Sequence, residues 1–159
     1  MIVCYFDGAC GPVNPGGTAS WGAVAYRLAP KRRGVAPPPR TAILLWQGHG
    51  VYDPPVPGET SNNVAEYLGF LAVLNWLSGN WEQWTEPAVV RGDSKLVIEQ
   101  MSGRWMIKSG LYRPHAVEAR SMLATFSRPP TLQWVPREEN VEADRLSKLA
   151  LDEICVRSN

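Results

Sequence analysis

Four acidic residues of this 159-residue chain are placed where they could act together. Asp7 and Asp93 each follow a short apolar run that is typical of a strand, whereas Glu66 and Asp144 lie near the starts of two segments with helical spacing. Because ligands of open α/β sheets bind beyond the carboxyl ends of the strands, these side chains can meet at one edge. Four carboxylates there would repel each other unless divalent cations were bound. An oxygen-only ligand set predicts Mg²⁺ or Mn²⁺ rather than Zn²⁺.

Each of these acids also has an ordinary interpretation when it is taken singly. Asp7 can be a turn residue, Asp93 can cap the helix that follows it, and Glu66 can complete a capping box. Asp144 can be a solvated helix acid that pairs with Lys148 one turn later. Their common placement at one end of the predicted sheet favours a shared site over four separate roles.

The elements that position the acids follow from hydrophobic spacing and turn residues. Strands are predicted at Ile2–Phe6, where the strand ends at Asp7, and at Ser20–Leu28, Ile43–Gln47 with an extension toward Val51, Ala88–Arg91 and Thr131–Val135. Helices are predicted from Ser61 or Asn62 to Asn80, and at Leu96–Met101, Pro114–Phe126 and Val141–Val156, the last capped by Asn140.

The element order β-β-β-α-β-α-α-β-α predicts the fold class. Three consecutive strands form an antiparallel meander, and the later strands follow helical crossovers that make them parallel. We therefore expect one α/β domain over residues 1–159, a mixed five-stranded sheet flanked by helices. A basic, proline-rich loop at residues 31–40 is predicted to join the second and third strands.

Composition excludes several other classes of protein. With 45 % hydrophobic and 19 % charged residues, the chain is not wholly disordered. No apolar run approaches the ~18 residues of a membrane span, and the N-terminus lacks signal-peptide features, so we expect a cytoplasmic protein. Three cysteines without a CxxC pair predict neither a disulfide framework nor a zinc ribbon. The net charge of +1 means that a polyanionic partner would need a metal ion or a local basic patch.

Four motifs, in order along the chain, resemble those of type 1 ribonuclease H. They are FDGACG with NPGG, then TSNNVAE, then GDSKLV, then NVEADRLSKLA, and the resemblance runs from about Ile2 to Ala150. It implies a ribonuclease H-like fold with the element order predicted above.

The resemblance also implies a reaction. Asp7, Glu66, Asp93 and Asp144 would be the catalytic residues and would hold two Mg²⁺ ions, with Mn²⁺ as a substitute. The chain would be an endonuclease that hydrolyses the RNA strand of an RNA/DNA hybrid, leaving 5′-phosphate and 3′-hydroxyl ends. One ion would activate the attacking water and the other would stabilise the leaving 3′ oxygen. We expect the hybrid as the partner, no membrane association and a monomer.

Candidate substrate contacts come from the same resemblance, since the family recognises RNA through its 2′-hydroxyls. The implied residues are the main chain of Gly8 and Ala9, the side chains of Asn14, Asn62 and Asn63, and Ser61 for a DNA phosphate. The alternative for the asparagines is a local role in helix capping or in a turn.

The sequence departs from the family pattern in the loop before the last acid. Many members carry a His there, whereas this chain has Arg137, Glu138 and Glu139, and its two histidines are elsewhere and predicted to be structural or exposed. Arg137 could stabilise developing charge, and either glutamate could loosen a metal ion. The alternative is an ordinary polar loop.

A second departure is a short segment, Gly103–Arg113, where many members have a long basic protrusion. Basic and aromatic residues alternate in it and can follow a phosphate backbone. Trp105 and Tyr112 can instead fill the edge of the core.

Two further functions remain open at this point. The chain could bind hybrids without cleaving them, or it could be a nuclease of the same fold acting on double-stranded RNA or junction DNA. A nucleotide-binding α/β protein is disfavoured because neither GxxxxGK[ST] nor GxGxxG after a strand is present.

Overall fold

The computed structural model describes residues 1–29, 42–83 and 85–157. The predicted basic loop at 31–40 lies outside them. The strands are β1 (Ile2–Gly11), β2 (Thr18–Leu28), β3 (Ala42–Val51), β4 (Ala88–Gly92) and β5 (Thr131–Trp134). The helices are α1 (Asn62–Asn80), α2 (Lys95–Met101), α3 (Arg113–Thr125) and α4 (Val141–Arg157). No helix among these is long and apolar enough to cross a membrane.

The sheet has the mixed topology that the element order predicts. Its strand order is β3-β2-β1-β4-β5; β1 pairs antiparallel with β2, as β2 does with β3, whereas β1–β4 and β4–β5 are parallel. The parallel register pairs Phe6 of β1 with Gly92 of β4. The next residues, Asp7 and Asp93, therefore lie just beyond the last β1–β4 pair, at the same edge of the sheet.

The prediction that β1 ends at Asp7 was wrong. The strand continues to Gly11 because its other side still pairs with β2, from Gly8 opposite Trp21 to Gly11 opposite Thr18. Only the pairing with β4 stops at Phe6. Asp7 is therefore held inside an ordered strand, at the point where β4 separates from β1.

Glycines let two helices pack directly on the sheet backbone. A Cβ on Gly8 would lie 2.2 Å from the backbone carbon of Ala65 in α1, and a Cβ on Gly22 would lie 2.4 Å from the carbonyl oxygen of Ala143 in α4. Since successive strand residues point to opposite faces, Gly8 faces α1 while Asp7 faces α4. Both helices thus reach the edge where β1 and β4 separate.

The hydrophobic core lies between the sheet and α1, with α3 packed outside α1. Phe6 and Phe70 meet edge to face at 5.3 Å between ring centroids. The buried side chains of α1 in this core include Val64, Tyr67, Leu71 and Leu74. Phe6, which precedes Asp7, and Tyr67, which follows Glu66, belong to this core, so these two acids are attached to buried positions.

Candidate active site

Three of the predicted acids form one cluster. Carboxylate oxygens of Asp7, Glu66 and Asp93 lie within 4.8 Å of one another. Asp7 comes from the middle of β1, Asp93 follows β4, and Glu66 lies one turn into α1. The common site inferred from the sequence is thus present in the geometry for these three residues.

Burial and mutual repulsion make ionisation of these carboxyl groups unfavourable. Desolvation, followed by the neighbouring charges of Asp93 and Asp144, raises the pKa of Asp7 from 3.8 to about 6. Desolvation and the charges of Asp7 and Asp93 raise the pKa of Glu66 well above its ordinary value. Hydrogen bonds from Ser147 to Asp7 and from the Gly8 N–H to both acids oppose these shifts without cancelling them.

The cluster has the chemistry of a divalent-cation site. Glu66 Oε2 is buried and has no hydrogen-bond partner among the described residues, although burying such an oxygen without one is costly. A cation would satisfy this oxygen and remove the repulsion between the three carboxylates. Ligands that are all oxygen suit Mg²⁺, Mn²⁺ or Ca²⁺ better than softer metals. The residues therefore fit the ions that the sequence predicts.

Asp144 lies beside this cluster but is not part of it. Its Oδ1 accepts a hydrogen bond from Arg137 Nη2 at 2.7 Å, and its Oδ2 accepts one from Lys148 Nζ at 2.6 Å. Burial would raise the pKa of Asp144, but the hydrogen bonds from Lys148 and Arg137 outweigh it and hold the pKa below its ordinary value. The pairing with Lys148 that the sequence offered as an alternative is therefore observed, next to the site.

Two residues that support the acids were not identified from the sequence. The buried Ser147 hydroxyl lies 2.7 Å from Asp7 Oδ2. Asn140 Nδ2 donates to the Phe6 carbonyl and to Asp93 Oδ1, both at 2.8 Å. Asn140 was predicted only as a helix cap, yet its side chain connects β1 to Asp93. Nothing in the local sequence distinguishes these roles, because each contact joins distant parts of the chain.

The ordinary interpretations of Glu66 and Asp93 as helix caps are wrong. Ser61 Oγ accepts from the Val64 N–H at 3.2 Å and caps α1. Ser94 Oγ accepts from the Val97 N–H at 3.4 Å and caps α2. Both carboxylates are therefore available to the cluster.

The predicted substrate contacts lie where the end of β1 meets the start of α1. Asn14 Oδ1 accepts from the Asn62 N–H at 2.9 Å, and Asn62 Oδ1 accepts from the Cys10 N–H at 2.9 Å. These bonds occupy the amide oxygens, and among the described residues neither amide nitrogen donates a hydrogen bond. The Asn63 side chain is exposed. Their proposed contact with substrate stays a prediction.

The loop before α4 forms a short 3₁₀ turn, Arg137–Glu139. Arg137 reaches Asp144, whereas Glu138 and Glu139 are exposed. The histidines are elsewhere: His49 lies 3.3 Å from Glu153, and His115 packs against the Tyr52 ring at 5.3 Å. Neither belongs to the acid cluster.

The segment between α2 and α3 forms one wall of a groove of about 320 Å³ against α3. Trp105 is 45 % exposed at this groove, whereas Tyr112 is buried and stacks on Tyr67. Buried Gln100 accepts from the Tyr67 hydroxyl at 2.6 Å and donates to the Met106 carbonyl at 2.9 Å, which fixes the segment. Of the two aromatic residues, only Tyr112 fills the core.

Comparisons with known proteins agree with this arrangement. The family model described as "Reverse transcriptase-like" matches residues 40–150. The bifunctional protein Rv2228c of Mycobacterium tuberculosis is 44 % identical over 95 residues, which are 60 % of this chain and 25 % of that protein. The structure of its N-terminal ribonuclease H domain, solved as a fusion with maltose-binding protein, has a TM-score of 0.74 at 32 % identity and covers 99 % of this chain and 98 % of the other.

Two further relatives carry ribonuclease H names. Ribonuclease HI of Halobacterium salinarum is 34 % identical over 96 residues, 60 % of this chain and 46 % of that protein, and its structure has a TM-score of 0.72 with 96 % and 98 % of the chains covered. LC11 ribonuclease H1, solved in complex with an RNA/DNA hybrid, has a TM-score of 0.75 at 26 % identity and covers 98 % and 99 % of the chains.

The chain spans a quarter to a half of the length of these curated relatives. The family model nevertheless covers most of its length, and the sheet order is the one that the motifs imply. This chain therefore belongs to the reverse transcriptase-like family and, within it, to the type 1 ribonucleases H.

Proposed function

We propose that this chain is an endonuclease that hydrolyses the RNA strand of RNA/DNA hybrids. The observation that carries the proposal is the cluster of Asp7, Glu66 and Asp93, whose oxygens lie within 4.8 Å of one another at the sheet edge. Relatives named as ribonucleases H, one of them solved with a hybrid, support the same substrate.

In this proposal Asp7, Glu66, Asp93 and Asp144 hold two divalent cations, Mg²⁺ or Mn²⁺. When bound, such ions activate a water molecule for attack on the phosphodiester and stabilise the leaving 3′ oxygen, which gives 5′-phosphate and 3′-hydroxyl ends. The protein supplies the fixed geometry: Ser147 orients Asp7, and Asn140 orients Asp93. Arg137, which is exposed and pairs with Asp144, would stabilise charge that develops on the phosphate.

Discrimination of RNA from DNA is assigned to the region where the end of β1 meets the start of α1. The 2′-hydroxyl both donates and accepts hydrogen bonds. Asn14 and Asn62 present amide nitrogens as donors, while the main chain at Gly8 and Ala9 and the carboxylate of Glu66 lie nearby. Asn63, exposed in the first turn of α1, is a further candidate for a 2′-hydroxyl. Ser61 stands at the start of α1, where a phosphate of the DNA strand would be favoured by the helix N-terminus.

The decisive test uses a hybrid labelled separately on each strand, incubated with the wild type and with Asp7→Asn. We expect cleavage of the RNA strand alone in Mg²⁺, and its loss both in chelator and in Asp7→Asn. Asp152→Asn, which removes an exposed acid of α4, is the matched control and should cleave at the wild-type rate.

Other outcomes distinguish the alternatives. Binding of the hybrid without cleavage would identify a binding module, and preferred cutting of double-stranded RNA or of a DNA junction would identify a different nuclease of this fold. Cleavage that persists in chelator would contradict the metal assignment. The single-domain organisation, cytoplasmic location and monomeric state stay predictions from the sequence.

A further inference from the structure

Both carboxylate oxygens of Asp144 are already bound by cations of the chain itself. Arg137 Nη2 lies 2.7 Å from Oδ1, and Lys148 Nζ lies 2.6 Å from Oδ2. The other three acids are close enough to share an ion, whereas Asp144 is not within that cluster. The residue that the proposed function needs as a fourth ligand is therefore held by two positive side chains.

We propose that Lys148 is a positioning residue that competes with divalent cations for Asp144 and so sets the ion concentration at which the fourth carboxylate joins the site. This inference rests on the proposed function. Asp144 would exchange one cation for another: the Lys148 ammonium leaves Oδ2 when a divalent ion is bound, and it returns when the ion dissociates. The two interpretations of Asp144 from the sequence, metal ligand and ion-pair partner, would then be two states of one residue.

The geometry of α4 makes Lys148 the appropriate competitor. Lys148 follows Asp144 by four residues, so the two side chains lie on the same helix face in the favourable acid-before-base order. The Lys148 side chain is 55 % exposed, and its ammonium can move into water on a flexible stem. Exposed ion pairs contribute little free energy, so Lys148 raises the threshold for the ion without blocking it.

Arg145 is the natural control for the effect of charge alone. It lies on the same helix, one residue after Asp144, but its guanidinium pairs with Glu142 at 2.6 Å. Arg145→Gln and Lys148→Gln each remove one positive charge from α4. Only Lys148→Gln also frees an oxygen of Asp144.

The test measures Mg²⁺ and Mn²⁺ binding to the substrate-free protein by titration calorimetry at constant ionic strength. We expect Lys148→Gln to bind the ion about 3- to 5-fold more tightly than the wild type, which is the upper part of the range that an exposed ion pair gives. Arg145→Gln should change the affinity by less than half as much on a logarithmic scale. Lys148→Arg, which keeps a cation, should restore affinity toward the wild-type value.

A double-mutant cycle with Asp144→Asn separates competition from general electrostatics. If Lys148 acts through Asp144, Lys148→Gln should have no more effect than Arg145→Gln in the Asp144→Asn background. An equal gain from Lys148→Gln in both backgrounds, or an unchanged affinity in the wild-type background, would overturn the inference. If the wild type binds ions and cleaves the hybrid, the proposed function stands even when the inference about Lys148 fails. If the wild type binds no ion, the proposed function and this inference both fail.

Discussion

Asp7 destabilises the fold independently of the catalytic role proposed for it. It is only 5 % exposed, and its pKa of about 6 lies well above the ordinary 3.8. A carboxyl whose pKa is raised in the folded state binds more protons there than in the unfolded chain. The metal-free protein therefore loses stability as the pH rises from about 4 to about 6, and above that range the loss is complete.

We expect Asp7→Asn to stabilise the metal-free protein at pH 7. The gain should be up to about 3 kcal/mol, since each unit of pKa shift corresponds to about 1.4 kcal/mol, and it should vanish near pH 4, where Asp7 is largely protonated in the folded state. Urea unfolding of the two proteins in chelator, at pH 4 and at pH 7, measures the difference. A variant that is less stable than the wild type at pH 7 would contradict the repulsion inferred for the cluster.

Arg137 lies in the loop where the resemblance predicts a histidine in many members, and it pairs with Asp144. We expect Arg137→Ala to lower kcat with little change in KM, because a charge that meets developing negative charge acts in the transition state. Arg137→Lys should recover only part of kcat, since an ammonium lacks the planar fork of donors. Steady-state kinetics on a labelled hybrid measure both constants, and Arg145→Ala, which removes an exposed arginine of α4 that pairs with Glu142, serves as the control. An unchanged kcat in Arg137→Ala would refute the role.

Close packing of α1 on β1 determines where Glu66 lies relative to Asp7. A Cβ on Gly69 would come within 2.7 Å of the Asp7 carbonyl oxygen, a backbone atom that cannot turn away. Gly79, in the same helix, has no atom within 4 Å of a Cβ. These two glycines allow the packing of α1 to be tested apart from its helix propensity.

We expect Gly69→Ala to destabilise the protein by about 1–3 kcal/mol, the usual cost of overpacking, and to weaken ion binding because Glu66 moves with α1. Gly79→Ala should be neutral or should stabilise by up to about 1 kcal/mol through helix propensity. Urea unfolding and ion titration of both variants provide the measurements. Equal behaviour of the two variants would show that α1 is not held by this contact.

The sequence was a good guide to the elements and a poorer one to their side-chain contacts. Hydrophobic spacing and turn residues predicted the five strands and four α-helices of the described residues, because these signals are local. The end of β1 was missed since pairing with β2 continues after pairing with β4 stops. Ser147 and Asn140 were missed because their partners, Asp7 and Asp93, are distant in sequence. Of the two cations on Asp144, Lys148 was predicted from its four-residue spacing in the helix, whereas Arg137 was missed because it lies before the helix, where no periodic signal applies.

The net charge of the whole molecule is nearly zero. Binding to a polyanion therefore depends on where Lys and Arg side chains lack an ion-pair partner. Arg27 pairs with Glu86, and Arg145 with Glu142. Lys108, Arg113 and Arg120 form no ion pair within the described part of the chain. They lie on the segment between α2 and α3 and on α3 itself, where Trp105 is also exposed. Within the described residues, this surface has unpaired cations and an exposed aromatic ring, a combination that suits a phosphate backbone.

We expect the double variant Arg113→Gln/Arg120→Gln to weaken hybrid binding and to lower the slope of log K against log salt by about 2, roughly one for each phosphate contact. Arg27→Gln, near the end of β2 and paired with Glu86 in the wild type, should leave the slope unchanged. Fluorescence anisotropy with a labelled hybrid, in chelator and over a series of salt concentrations, gives the slopes. An unchanged slope in the double variant would place the nucleic acid elsewhere on the molecule.

Trp134 is a natural fluorescent reporter of the acid cluster. Its indole N–H donates to the carbonyl oxygen of Asp93 at 3.0 Å, while 47 % of the residue is exposed to solvent. Any rearrangement of Asp93 alters the surroundings of this fluorophore. Tryptophan emission from the unlabelled protein should therefore change in real time as a cation binds to the acid cluster. Trp134→Phe should remove that change while the carboxylates stay in place.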